Sequence, residues 1–392
     1  MPLFSILIPT RNRAHLLKYA IQSVLNQDCD DYELIVSDNN SSDDTYKITM
    51  GFDSQKIRYV NTGKYLPGSA SWNFAYTQAI GDYILILGDD DYLVPGILTQ
   101  VKKIIQKKSA RIVFTGIVGY YDNSFRDENL RNTIQSRVFT GKLIEVSTKQ
   151  IIQAYFNFGG RIDPPHPSSI FIFKKIADKV NEEYGAFYAP PYPEFTAILR
   201  SISQIDNLFL IDKPLVIVGK TSQTWSANVG LYGGEVRSYE EEIGDKFLLS
   251  LFSGRYIHNG IAESLLRVKH SNTERFKEYN IHLERYCCLY YQDVLEATRM
   301  GVDTSADLKE FYQKLSTLPS NIQKNVRKYI LKARVKEFLR KSPLQNMATI
   351  KILKNKLKIL FKKDNMVKKF IRGDSVGVYD IASCADYLIK IT

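Results

Sequence analysis

The chain has 392 residues, of which 44% are hydrophobic and 24% charged. That composition excludes a disordered protein and leaves room for two or three domains with sizeable cores. The net charge of +11 is unevenly placed: seventeen Lys or Arg against two acids, Glu337 and Asp364, lie between Lys324 and Arg372, so the rest of the chain is near neutral or mildly acidic. No apolar run approaches the ~18 residues of a spanning helix. The start, MPLFSILIPTRNR, lacks the basic leader and apolar stretch of a signal peptide. Cys29, Cys287, Cys288 and Cys384 fit neither a disulfide framework nor a zinc site, so a reducing cytoplasm is the expected location.

In chain order, FSILIP reads as a first strand. The segment RAHLLKYAIQSVLNQ follows as a helix with Leu16, Leu17, Ala20, Ile21 and Val24 on one face. YELIVSD is a second strand. Ser41 and Asp44 have capping-box spacing before a short helix over SSDDTYKITMGF. KIRYVN is a third strand, SASWNFAYTQAI a helix, DYILILG a fourth strand. Pro95 stands at a favoured first position of the helix PGILTQVKKIIQKK, and ARIVFTG is a fifth strand. This alternation predicts an α/β fold with a mostly parallel central sheet flanked by helices. Residues 116–225 are less regular: a loop excursion at YYDNSFRDENLRN, the Pro-rich GGRIDPPHPSSIFIFKK with His166, the helix start APPYPEFTAILRSI with Glu194, and one or two strands over NLFLIDKPLVIVG. From about 236 the chain reads as helical, ending in two basic helices over 322–341 and 346–372.

In open α/β sheets ligands bind beyond the carboxyl ends of the strands. Those ends carry PTRNR (9–13), SDNNSSDD (37–44) and GDDDY (88–92), three polar segments facing one rim if the strands are parallel. The last is the sharpest: the strand within YILILGDDDYLVPG runs into three adjacent carboxylates, which repel one another and are costly to bury. Either an ordinary turn leaves them in water, or something positive sits among them.

SILIPTRNR, YELIVSDNNSSDDT and SASWNFAYTQAIGDYILILGDDDYLVP together resemble, in order and spacing over the first 100 residues, the motifs of family 2 glycosyltransferases of the GT-A fold. The resemblance implies an inverting sugar transferase using a nucleotide-sugar donor with Mn2+ or Mg2+. Such hard cations take one or two carboxylates plus phosphate and water, and stabilise a departing diphosphate as Lewis acids. Aligned on Pro95, the family's first motif Asp falls on Gly88 and its last two on Asp90 and Asp91. Asp90 is then the principal metal ligand, with Asp89 or Asp91 supporting it or touching the ribose.

The same resemblance makes Asp38 the acceptor for the N–H of a uracil or thymine ring, a role a carboxylate suits because it accepts and does not donate. Asn39 stands where many relatives carry a second Asp, and Asn40 is counted with the donor site. Pro9, Thr10 and Arg11 would line the base pocket, and Arg11 would stack on the ring or approach the phosphates. Asn73 matches the second member of an Arg-Asn pair near the sugar, with Trp72 in the Arg position. Glu194 is the candidate general base for the acceptor hydroxyl and Asp163 its alternative. His166 would contact diphosphate or acceptor. Each has a competing structural role: an Asx turn or helix cap for Asp38, a surface charge for Arg11, a helix-dipole partner for Glu194, a loop histidine for His166, core packing for Trp72 and Trp225.

The expected domains are 1–225 for the transferase, with 1–115 binding the nucleotide-sugar and 116–225 the acceptor, then a helical region 226–320 and a basic amphipathic region 321–392. Within the last, Ile350, Leu353, Leu357, Leu360, Val367 and Ile371 form a stripe flanked by lysines. That pattern suits an anionic membrane surface and hence a lipid-linked glycan acceptor, with the protein peripheral on the inner face of the membrane. A terminal helix packed on the body is the bland reading. The tail lacks an RNA-binding signature, so no nucleic-acid partner is expected. Two rival functions remain at this point: a nucleotidyltransferase, disfavoured because PTRNRAHL holds no glycine for a phosphate loop, and a non-catalytic glycan- or membrane-binding relative.

Overall fold

The computed structural model describes residues 1–160, 162–224, 247–341 and 369–391. Trp225 and most of the basic stretch 346–372 lie outside them. Four parallel strands form the heart of the sheet: β1 (Phe4–Thr10) lies between β2 (Tyr32–Asp38) and β4 (Tyr83–Ile86), and β3 (Ile57–Asn61) flanks β2. Side chains alternate across the pleat. Ile6 and Ile8 therefore pack with Leu17, Ile21 and Val24 of helix α1 (Ala14–Leu25), while Leu7 packs with Ala75 and Tyr76 of α3 (Gly68–Thr77) on the other face. Between them lies α2 (Thr45–Met50). It shows no side-chain cap; Ser41, expected to cap it, instead accepts a hydrogen bond from the Asn12 N–H at 2.9 Å.

Beyond β4 the sheet is mixed. The fifth sequence strand is not β4's immediate neighbour. After the two-residue β5 (Tyr92–Leu93) and α4 (Ile97–Lys108), the chain forms β6 (Ile112–Tyr121), separated from β4 by the antiparallel β9 (Ile170–Phe173). Helix α4 starts two residues later than expected because Gly96 takes φ +87° at its N-cap, a conformation open to glycine. β7 (Thr133–Ser136) pairs with β6 and β8 (Leu143–Ser147) with β10 (Asn207–Lys220), both antiparallel; β10 is one long strand, parallel to β6 and broken in register around Pro214. Proline cannot donate to the ladder, so it sits at this irregularity. β5 pairs antiparallel with β10, which brings the segment after Asp91 against the last turn of the sheet. Helices α5 (Thr148–Phe156), α6 (Lys174–Tyr184) and α7 (Pro193–Ile202) cover the α3 face.

The C-terminal part is helical: α8 (Ile257–Ser271), α9 (Thr273–Phe276), α10 (Leu283–Arg299), α11 (Ser305–Thr317) and α12 (Ser320–Lys341). Its core is aromatic, with Phe252 stacked on Tyr290 at 4.0 Å and Phe311 beside both. The expectation of a helix through 372 fails at its end. Residues Lys369–Arg372 are a strand, β11, paired antiparallel with β7, and the chain then closes with α13 (Ile381–Ile391). Cys384, Ala385 and Leu388 of α13 pack on Tyr92, Val94, Val118 and Ile217, behind the acidic turn. An edge strand with open hydrogen-bonding groups recruits an extended partner, which overrides the helical pattern there. Among the described residues no helix is long and apolar enough to cross a membrane.

Candidate active site

Register places the first two loops. Thr10 and Asp38 are direct partners at the ends of β1 and β2. The loops that follow are stitched together: Asn12 Oδ1 accepts from Ser42 N at 2.7 Å, and Asp43 Oδ2 accepts from Ala14 N at 2.9 Å, capping α1 from a neighbouring loop. Burial would raise the Asp43 pKa, yet donors from Thr45 and Ala14 hold it below the usual range.

Asp38 is 2% exposed and well supplied with donors: Ser41 N at 2.8 Å, Tyr59 O–H at 2.5 Å and Asn61 Nδ2 at 3.1 Å. The Asx-turn role and the binding role coexist, because a carboxylate has about four lone-pair sites and three are in use. Asn39 explains itself. Its amide donates to Leu66 O and accepts from Leu66 N, both at 2.8 Å, a two-way bond that a carboxylate cannot make. Asn40 is exposed with φ +57°. Pro9 is half-buried at the end of β1.

The acidic turn is held from three sides. Thr10 Oγ1 donates to Asp89 at 2.8 Å. Arg13 forks across two carboxylates, at 2.7 Å to Asp89 and 2.8 Å to Asp90. Asp90 also accepts from Thr224 Oγ1 at 2.7 Å. Asp91 accepts from Ser168 Oγ and, at 3.0 Å, from Gly219 N. The positive group among the carboxylates is thus Arg13, not Arg11, whose guanidinium lies over the exposed Tyr65 ring at 4.1 Å. Arg13 was inside the PTRNR segment, but only its place at the head of α1 aims it inward. Ser168, Gly219 and Thr224 come from the second half of the chain, and no local pattern marks them.

Burial pushes the Asp89 carboxyl up to about 6, with Arg13 pulling it down and Asp90 pushing it further up. Burial and then the Asp90 charge push Asp91 up to about 7. The Arg13 guanidinium is held firmly protonated: burial opposes its charge, and Asp89 and Asp90 outweigh that. A Cβ at Gly88 would stand 2.8 Å from Asp91 Oδ2 and 3.2 Å from Asp90 Oδ1, so the aspartate of the related motif would need the Asp91 side chain to move. Gly219 is forced, since a Cβ would lie 1.9 Å from the Asp90 carbonyl oxygen.

The remaining candidates divide. His166 Nδ1 accepts from Ser168 N at 3.3 Å, which leaves the proton of the neutral ring on Nε2. Burial, assisted by the Lys220 charge, pushes its pKa down to about 3. Glu194, in the first turn of α7, borders a small cavity with Ile84, Ile86, Pro167 and Tyr188, next to the segment that carries Ser168. Burial pushes its carboxyl up to about 7, against the pull of a backbone N–H. Asp163 is not placed there: it pairs with Arg137 at 3.2 Å, and Arg137 also holds Asp212 at 2.6 Å. The Asn73 amide is engaged with backbone, donating to Ser69 O and Tyr188 O and accepting from Tyr188 N, so it clips α3 to the loop before Glu194 rather than reaching the acidic turn. Trp72 packs edge-on against Tyr188 in the core.

Residues 5–172 match the family described as Glycosyl transferase family 2. The chain is 28% identical over 237 residues to the GalNAc(5)-diNAcBac-PP-undecaprenol beta-1,3-glucosyltransferase of Campylobacter jejuni, covering 59% of this chain and 72% of that protein. It is 31% identical over 113 residues to the UDP-Glc:alpha-D-GlcNAc-diphosphoundecaprenol beta-1,3-glucosyltransferase WfgD of Escherichia coli, covering 29% of this chain and 44% of that one. Among solved structures, S. aureus TarS 1-349 in complex with UDP-GlcNAc superposes with a TM-score of 0.48 at 14% identity, over 84% of this chain and 92% of that one.

Proposed function

We propose, for a chain whose residues 5–172 belong to glycosyltransferase family 2, that it moves a sugar from a UDP- or dTDP-sugar to a growing glycan carried on a polyprenyl diphosphate, in cell-surface polysaccharide synthesis. One observation carries the reading: Asp38, Thr10 and the acidic turn 89–91 stand on one rim, at the carboxyl ends of adjacent parallel strands. That rim offers a nucleobase acceptor beside a cluster of carboxylates, which is what a nucleoside diphosphate accompanied by a cation needs. The C. jejuni and E. coli relatives are both named for diphosphoundecaprenol-linked acceptors, which supports the acceptor class.

A divalent cation fits the acidic turn on one carboxylate. Asp89 and Asp91 are buried and bonded, whereas the Asp90 side chain is 11% exposed. No group of three metal-binding side chains exists among the described residues. Mn2+ or Mg2+ needs only one or two carboxylates when phosphate oxygens and water complete its shell, so Asp90 would hold it and Asp91 would support from behind. When bound, it neutralises the leaving diphosphate as a Lewis acid. Asp38 accepts the imide N–H of the base. Glu194 takes the proton of the acceptor hydroxyl as its oxygen bonds to the anomeric carbon and the carbon–diphosphate bond breaks, with inversion. A carboxyl near pKa 7 is suited to that role at neutral pH. The neutral His166 donates from Nε2 to a phosphate or acceptor oxygen. The basic stretch beyond Lys341 gives peripheral attachment to the anionic leaflet carrying the acceptor.

The test is a transfer assay pairing UDP- and dTDP-sugars with a polyprenyl-diphosphate glycan, read by mass spectrometry. The reading predicts a product heavier by one sugar residue and release of a nucleoside diphosphate. Release of sugar 1-phosphate, with the nucleotidyl group left on the acceptor, would mark a nucleotidyltransferase, and no turnover with any donor together with no nucleotide binding would mark a binding protein.

A further inference from the structure

The carboxylate cluster already contains a cation. The Arg13 fork reaches both Asp89 and Asp90, and its Nε is buried without a hydrogen-bond partner, so the side chain is committed to those two acids. Asp90 Oδ2 takes Arg13 Nη2 and Thr224 Oγ1 together. A metal ion sharing that oxygen would stand close to the guanidinium N–H 2.8 Å away, and the repulsion between the two cations weakens its binding. Asp89, by contrast, keeps Thr10 as a second donor if Arg13 shifts.

We propose that Arg13 is a positioning residue that acts as the resident counter-ion of Asp90 and is exchanged for the donor's metal ion when the nucleotide binds. This rests on the nucleotide-sugar reading above. In the empty site the guanidinium cancels charge on Asp89 and Asp90 and fixes their geometry. The incoming diphosphate is an alternative partner for the guanidinium, with the bidentate geometry it favours. Drawn toward phosphate while still tied to Asp89, Arg13 frees Asp90 for the cation. Metal and nucleotide then bind cooperatively by more than the affinity of the ion for the nucleotide itself, and the coupling passes through Arg13.

The test reads Mn2+ binding by electron paramagnetic resonance, with and without UDP, on the full chain. The informative variant is the double Arg13→Gln, Asp89→Asn. It removes the guanidinium together with the charge it would orphan, so local net charge is unchanged and folding is protected. Exchange predicts that without UDP this variant binds Mn2+ about tenfold more tightly than wild type, within the usual range for coupled sites. It also predicts that UDP improves Mn2+ binding less in the variant than in wild type. Asp90→Asn in the same background should abolish the gain. Equal Mn2+ affinity of wild type and double variant without UDP would overturn the exchange while leaving the transferase reading intact. Failure of wild type to bind Mn2+ even with UDP would remove the metal role of Asp90 together with the exchange, while the transfer assay decides the transferase reading separately.

Discussion

Asp89 and Asp91 are almost equally buried, at 4% and 3% exposed, yet they are held by different chemistry. Asp89 is met by a guanidinium and a hydroxyl from the β1 loop and α1; Asp91 is met by a hydroxyl and a backbone N–H from the second half of the chain. The cation-paired side can stay ionised at neutral pH, while the neutral-donor side sits close to its proton. Asp90 stands between them, the only member of the row with an opening to solvent. The contrast teaches how a short acidic run is made tolerable: the flanking carboxylates are fixed by protein, and the central one is left for exchange.

The largest break should come at that centre. Asp90→Asn is expected to lower the transfer rate by about a thousandfold or more, as loss of a main electrostatic stabiliser does, with an unchanged circular dichroism spectrum. Next is the cation-paired side. Arg13→Met leaves a buried carboxylate without its partner and should cost about 3–5 kcal/mol of folding stability in a urea titration. Ser168→Ala, on the opposite side, removes one neutral donor and should cost only about 1–3 kcal/mol. Equal losses in the two variants would dissolve the contrast.

A pH series sharpens it. The folded Asp91 carboxyl, near 7, lies above its unfolded value near 3.8, so the fold binds the proton more tightly. Its contribution is therefore full below about pH 4 and is lost as pH rises through about 7. Asp91→Asn carries no such proton. Wild type should lose stability relative to this variant between pH 4 and 7, at about 1.4 kcal/mol per pH unit and up to about 4 kcal/mol in all. The same stability gap at every pH would contradict a buried, protonated Asp91. The smallest effect belongs to Arg11→Ala, which removes an exposed stack on Tyr65 worth about 0.5–1 kcal/mol. It should barely touch stability, in contrast to Arg13→Met.

The first four strands and the three rim loops could be read in the sequence because each is local: period-two apolar runs, a helical stripe, acids at a strand end. The second half of the site could not. Ser168 and Gly219 meet Asp91 only because β9 inserts antiparallel beside β4 and β10 bends back against β5. Such long-range pairings leave no periodic trace. The sequence reading favours Arg11 and passes over Arg13, since loop residues carry no facing until α1 fixes them. Asp163 pairs with Arg137, 26 residues away in sequence, a contact that no local pattern marks. The strand at Lys369–Arg372 was hidden by a helical stripe, because a free sheet edge, not local propensity, decides its conformation.

The central claim is that Asp90 holds the donor's cation while Asp38 holds its base. Crystals grown with UDP and Mn2+ test it through the anomalous signal of the metal. The account predicts one peak beside Asp90, coordinated by diphosphate oxygens, with the uracil ring N–H against the Asp38 carboxylate. A peak elsewhere, or a nucleotide lodged away from Asp38, would contradict it.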